Sequence, residues 1–276
     1  NNKELREQEK GRDIAIYRKY LHAQTRELLT QFGDVDVMWF DFSYPQLEDG
    51  GKGREDWGSE ELYKLVRECR PDIVLNDRID LDEGWDIKTP EQWQPQEWYT
   101  VDGVPVTWEA CQTLNGSWGY DRDNMDWKSV KMLLWMLVDS VSKGGNLLLN
   151  VGPNGRGEFD ERALDTLYGI GEWMRLHDRS IYGCTQSDFE APADCRYTQN
   201  GNKLYLHLMN WPMKHVHLKG LRDRIDYAQL LNDASEIKHV TQVWHEDTAE
   251  GAVALELPIQ PPDVEIPVIE IFLKDR

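Results

Sequence analysis

Residues 130–151 read VKMLLWMLVDSVSKGGNLLLNV. Val130, Leu133, Leu134, Leu137, Val138 and Val141 recur at the three- and four-residue spacing that lines one face of a helix. Gly144 and Gly145 end the pattern, since glycine is costly inside a helix and suits the left-handed turn that closes one. The run NLLLNV then shows no polar alternation, the pattern of a strand buried on both faces in a parallel sheet covered by helices. A helix, a glycine stop and a buried strand make one α/β unit.

The same unit recurs to either side. Over about residues 12–30, Ile14, Tyr17, Leu21 and Leu28 repeat at helical spacing, and FGDVDVMWFD then turns to a strand. A second helix is expected from Ser59 as its N-cap, with Glu60 and Glu61 in the first turn and Leu62, Leu65 and Val66 on its face; the strand DIVLN follows Pro71. A fourth helix after Phe159 carries Ala163, Leu164, Leu167, Ile170 and Met174. Beyond about Tyr182 the helical period gives way to KLYLHLM, HVHLKG, TQVWH, AVALEL and VIEIFLK, short segments of a small antiparallel sheet or β-sandwich. The expected fold is α/β: the C-terminal half of a (β/α)8-type barrel over residues 1–183, then a β-sandwich domain over 184–276. About four strand candidates precede the β domain and a closed barrel needs eight. An N-terminal barrel half, or an oligomer partner, is therefore expected to cover the open edges.

Composition narrows the function classes. A formal charge of −19 over 276 residues opposes binding to a phosphate backbone, and there is no compensating basic run, so nucleic acid is excluded as a partner. No apolar run reaches the roughly 18–20 residues of a membrane span, so no membrane insertion is expected. The charged start NNKELREQEKGRD carries no apolar signal core; any export signal is expected upstream. Twelve Trp suit either sugar stacking or core filling. Cys69, Cys111, Cys184 and Cys195 form no CxxC motif and read as free thiols, with a Cys184–Cys195 pair left open.

Asp41 closes the strand VDVMWFD, and catalytic side chains of such barrels collect at the C-terminal ends of strands. A capping or turn role for Asp41 reads equally well from the residues alone. Arg78, in the NDR after the next strand, could orient a carboxylate or sugar hydroxyls, or form a surface ion pair. Glu91 lies in a Trp- and Pro-rich stretch, with Glu97 and Glu109 competing for its role. Two carboxylates across a cleft are the minimal machinery for cleaving a glycosidic bond, but spacing alone does not choose the pair. Five of the seven His lie in the β-rich part, including His215 and His217, and read as surface or packing residues rather than metal ligands.

In order along the chain, MWFD, PDIVLNDR, DIKTPEQ, WEACQTLNGSWGY and SKGGNLLLNVGPNGRGEF resemble the α-L-fucosidases of glycoside hydrolase family 29. The resemblance covers roughly residues 12–183, and the β-rich remainder is similar to that family's C-terminal sandwich. It implies retaining hydrolysis of terminal α-linked L-fucose from oligosaccharides or glycoconjugates, with no metal or organic cofactor, and a periplasmic or extracellular location. Transferred residue by residue, it makes Asp41 the nucleophile and Glu91 the acid/base, with Glu109 in reserve. Trp39, Arg78 and Trp118 become sugar-binding residues. A guanidinium near Asp41 would keep it ionised, while Trp93, Pro95 and Trp98 would desolvate Glu91 and hold it protonated. A retaining pair should stand roughly 5 to 5.5 Å apart. The family's pocket also takes histidines and aromatics from the first barrel strands, which have no counterpart here. That departure keeps two alternatives open, a catalytically silent carbohydrate-binding fragment and a glycosidase of other specificity.

Overall fold

The computed structural model describes residues 10–41, 43–45, 51–240 and 251–275. The expected strand TQVWH and parts of the loop after Asp41 lie outside them, as do the first nine residues. The chain divides into two compact units, Asn1–Thr89 and Pro90–Arg276, and it combines helices with several sheets.

In the first unit, α1 (Ile14–Gln31) starts at Asp13, whose carboxylate accepts from the Ala15 N–H. The helix lies where its period predicts, but its buried stripe is rotated. Thr25 and Leu29 are buried while Tyr17 and Leu28 are exposed. After β1 (Val37–Met38) come α2 (Arg54–Trp57) and α3 (Ser59–Cys69), then β2 (Val74–Leu75), which pairs parallel to β1. Ser59 is the buried first residue of α3 and not its cap. The cap is Gly58 in the left-handed region (φ 59°), which closes α2 and opens α3 in one residue, a conformation costly for a side chain. Met38 and Phe40 pack against both of the unit's core clusters, one around Leu29, Val66 and Ile73, the other around Leu62, Leu75 and Ile79.

The second unit opens with a hairpin, β3 (Thr100–Val101) and β4 (Val104–Pro105), followed by β5 (Trp108–Thr113), α4 (Val130–Val141), β6 (Gly145–Asn150) and α5 (Glu161–His177). Ser129 caps α4 by accepting from Met132 N–H, and Asp160 caps α5 from Arg162 N–H. Strands β5 and β6 are parallel, in register from Trp108 opposite Gly145 to Thr113 opposite Asn150. Gly145 therefore belongs to the strand, not to the helix stop. A Cβ there would stand 2.2 Å from the Trp108 ring, and one at Gly144 2.4 Å from that of Trp98. The Trp108 indole is fully buried and that of Trp98 half-buried, each close against a glycine. The expected burial of β6 on both faces is not met: Leu148 is 41% exposed, and β5 is the only strand paired with β6 among the described residues.

Seven further strands follow: β7 (Cys195–Asn200), β8 (Lys203–Leu208), β9 (His215–Leu218), β10 (Ile225–Leu230), β11 (Lys238–Val240), β12 (Val253–Glu256) and β13 (Val268–Leu273). They form two antiparallel sheets, ordered β10-β13-β8-β7 and β11-β12-β9, and one apolar cluster draws on both. A second cluster joins Leu134 and Val138 of α4 and Trp173 of α5 to Tyr205 and Val268 of the larger sheet. This core lies within the second compact unit and ties α4 and α5 to the larger sheet. All four cysteines are free, and burial raises the thiols of Cys184 and Cys195 to about 11.

His207 on β8 is fully buried, with Nε2 2.9 Å from the Thr198 hydroxyl, and burial pushes its pKa down to about 3. The folded unit therefore keeps it neutral while the unfolded chain protonates it below about pH 6.5. Stability is present above that pH and should fall by about 1.4 kcal/mol for each pH unit below it, down to the folded pKa. Denaturation midpoints at pH 7 and 5 for wild type and His207→Gln would test this. Equal acid losses in both would remove His207 as the cause.

Candidate active site

Beyond their two-residue ladder, β1 and β2 are continued by a side chain. Asn76, fully buried, accepts from Phe40 N–H and donates to Phe40 O, both at 2.8 Å. The amide so satisfies a donor and an acceptor that the short ladder leaves unpaired. It fixes the backbone immediately before Asp41. On the far side of Asn76 the chain pairs again, with Asp77 N–H donating to Ile87 O at 3.0 Å.

Arg78 follows in a 3-10 turn, Asp77–Ile79. Its Nη1 donates to Asp41 Oδ1 at 2.9 Å, and its guanidinium lies 4.6 Å over the Trp39 ring. The Arg78 side chain is 16% exposed and that of Asp41 37%, so the pair meets at the edge of the protein with the carboxylate reachable from solvent. Arg78 Nε donates to Thr89 Oγ1 at 3.0 Å and Nη2 to Thr89 O at 3.2 Å. Asp41 and Arg78 line an open cleft of roughly 480 Å³ with Tyr17, Phe40, Trp57 and Ser59. The first unit thus brings Trp39, Asp41 and Arg78 together. Asn76 and Thr89 were missed by sequence reasoning, although Asn76 stands directly after an apolar strand, where a buried amide has backbone to bond.

Glu91, Glu109 and Trp118 belong to the second unit. Residues 90–92 run parallel to β5, with Cys111 N–H donating to Pro90 O at 2.8 Å and Gln92 N–H to Cys111 O at 2.9 Å. Glu91 therefore sits on a strand edge rather than in a loop, and the pairing ends at Gln92, whose φ is 59°. The expected shield around Glu91 is not formed. Glu91 and Trp93 are exposed, and Trp98 turns inward to donate to Val106 O at 2.9 Å. Glu109 is half-buried at the second position of β5, next to the fully buried Trp108.

Trp118 lies past the C-terminal end of β5, 43% exposed. Asn150, at the end of β6, donates to Trp118 O at 2.7 Å, and a Cβ on Gly152 would stand 2.5 Å from the Gly119 carbonyl carbon. These two residues, also not anticipated, hold the Trp118 loop close to the strand end. Among the described residues no group of three or more His, Cys, Asp or Glu could hold a metal ion. No helix described is long and apolar enough to cross a membrane.

A family model described as alpha-L-fucosidase matches residues 1–179. Plasma alpha-L-fucosidase of Rattus norvegicus is 31% identical over 200 residues, which is 68% of this chain and 41% of the rat protein. Among solved structures, alpha-L-fucosidase isoenzyme 1 from Paenibacillus thiaminolyticus is 40% identical with a TM-score of 0.87, covering 96% of this chain and 65% of that one. The Thermotoga maritima alpha-fucosidase, solved with a mechanism based inhibitor, is 26% identical with a TM-score of 0.73 over 93% of this chain and 56% of its own. The chain spans less than half the length of its rat relative. Over the segment that carries Asp41, Arg78 and Trp118, the chain belongs to the alpha-L-fucosidase family.

Proposed function

We propose that the full-length protein is a retaining exo-α-L-fucosidase acting on fucosylated oligosaccharides or glycoconjugates. The observation that carries this reading is the Arg78–Asp41 pair over Trp39 at a strand's C-terminal end, within a segment that the family model matches. A carboxylate oriented through Oδ1 by a guanidinium and open to solvent is prepared to attack.

In the first step an Asp41 oxygen bonds to the anomeric carbon, the glycosidic C–O bond breaks, and the leaving oxygen takes the proton of the acid. In the second, water gives its hydroxyl to the anomeric carbon and its proton back to the same carboxylate, freeing Asp41 and L-fucose. Glu91 takes this acid/base role. The reading is supported by its position at the end of its own short strand, whereas Glu109 sits at the beginning of β5, away from the end at which catalytic groups gather. In this reading Trp39, Arg78 and Trp118 are sugar-binding residues, the indoles suited to the apolar face of a sugar. The exposure of Glu91 and of the β6 face fits a barrel whose other half is contributed outside these residues. In this reading residues 1–183 are the C-terminal part of a (β/α)8 barrel and 184–276 a β-sandwich domain, in an enzyme of the periplasm or extracellular space.

The test is hydrolysis of an aryl α-L-fucoside by the full-length protein, with the configuration of the first-formed sugar read by NMR. Release of α-L-fucose supports the proposal; a folded protein inactive on fucosides would favour the silent carbohydrate-binding alternative. Glu91→Gln should lower kcat on a natural fucoside by roughly 10²-fold or more, and less on an aryl fucoside with a good leaving group, which needs little protonation to depart. Equal losses on both substrates would move the acid role to Glu109.

A further inference from the structure

Arg78 can orient Asp41 only if something orients Arg78, and the guanidinium has a second set of partners on its other edge. Thr89, 7% exposed, receives Nε at its hydroxyl and Nη2 at its carbonyl. The direction of the hydroxyl's own proton is fixed by its neighbours. A guanidinium cannot accept, so the Thr89 proton goes to Asp77 Oδ1 at 2.7 Å, which also accepts the Thr89 N–H at 3.1 Å. Asp77 in turn is held through Oδ2 by Lys88 Nζ at 3.2 Å. The result is a chain of bonds in which Arg78 donates in both directions, to Asp41 on one edge and through the Thr89 hydroxyl to Asp77 on the other.

We propose that Thr89 is a positioning residue, whose hydroxyl, polarised by Asp77, locks the Arg78 guanidinium in the plane that presents Asp41 for attack. The inference rests on the reading of Asp41 as the nucleophile. Without the hydroxyl, the Nε bond is lost and the guanidinium keeps the Thr89 carbonyl through Nη2 alone of these two bonds, so its plane over Trp39, and with it the orientation of Asp41, is less constrained. Attack geometry is sensitive to small displacements, while ground-state binding of the sugar is less so.

The experiment compares Thr89→Val, which keeps the shape and removes the hydroxyl, with Thr89→Ser, which keeps the hydroxyl, in the full-length enzyme. Thr89→Val should slow both turnover of an aryl α-L-fucoside and covalent labelling by 2-fluoro-fucosyl fluoride by roughly 10- to 100-fold, with KM moving less than about threefold. Thr89→Ser should stay within about threefold of wild type in both rates. Epistasis supplies the decisive reading: in an Arg78→Lys background, Thr89→Val should cost no further rate, because the chain it completes is already broken. Equal rates in Thr89→Val and wild type, equal loss in the Ser and Val variants, or full additivity with Arg78→Lys would overturn the proposal. If Thr89→Val does not fold, Thr89→Ala is read against the same Ser control. Loss of labelling in Asp41→Asn, measured alongside, separates a failure of the nucleophile assignment from a failure of Thr89's role.

Discussion

Asp41→Asn in the full-length enzyme is expected to lower kcat on an aryl α-L-fucoside by at least about 10³-fold and to abolish covalent labelling by 2-fluoro-fucosyl fluoride. The replacement is nearly isosteric, and its amide oxygen can still accept from Arg78 Nη1, which reaches Asp41 Oδ1 at 2.9 Å. What vanishes is the anionic oxygen that would bond to the anomeric carbon. The 37% exposed side chain carries little packing, so the thermal midpoint should move by no more than a few degrees, about the effect of 1 kcal/mol. This combination separates chemistry from folding. A second check is external azide, which can replace the missing nucleophile in Asp41→Ala and yield a fucosyl azide of inverted configuration. Turnover within about tenfold of wild type, or labelling that persists, would remove Asp41 from the role and leave the Arg78 contact as an ordinary ion pair.

How much of this was legible depended on the kind of signal. The helices α1, α4 and α5 were readable because burial on one face imposes a period, and the period survives in Leu133, Leu134, Val138 and Val141. Strands β7 and β10 were not. Their sequences CRYTQN and IDYAQL mix polar and apolar residues: in β7 Thr198 finds partners inside, the Ser180 carbonyl and His207, while in β10 Asp226 and Tyr227 are exposed side by side and break the alternation. The cap of α3 was misread for a related reason. Ser59 is a good capping residue by type, but the chain must reverse out of α2 there, and only the left-handed Gly58 does so cheaply. At the site, the charged residues came from motif order, whereas Asn76 and Thr89 are uncharged, buried and act through backbone atoms. Pattern reading has no term for a side chain whose partner is the backbone of a strand 36 positions away.

That partnership leads to the second large effect, which falls on stability and activity together. Asn76→Ala removes both bonds to Phe40 and leaves the N–H and carbonyl of a strand end unpaired in a half-buried place, while emptying a fully buried site. Each orphaned backbone group costs roughly 1–3 kcal/mol, so a loss of about 2–4 kcal/mol in the full-length protein is expected by chemical denaturation. Water entering the vacated space would recover part of it, and the lower figure allows for that. Activity should fall further than stability explains. With both amide bonds to Phe40 gone, the backbone before Asp41 is held by packing and by the Arg78 contact, and turnover measured well below the unfolding transition should drop roughly 10- to 100-fold. Asn76→Asp distinguishes the two bonds, since it keeps the acceptor for Phe40 N–H and turns the donor into a carboxylate oxygen facing Phe40 O. It should be at least as damaging as alanine at neutral pH, because two oxygens would oppose each other in a buried place. A cost under about 1 kcal/mol for Asn76→Ala, with turnover unchanged, would mean that β1 and β2 keep their register without the amide. The two-residue ladder between Val37–Met38 and Val74–Leu75 stops short of Phe40, so the Asn76 amide carries the pairing of the two strands up to the residue before Asp41.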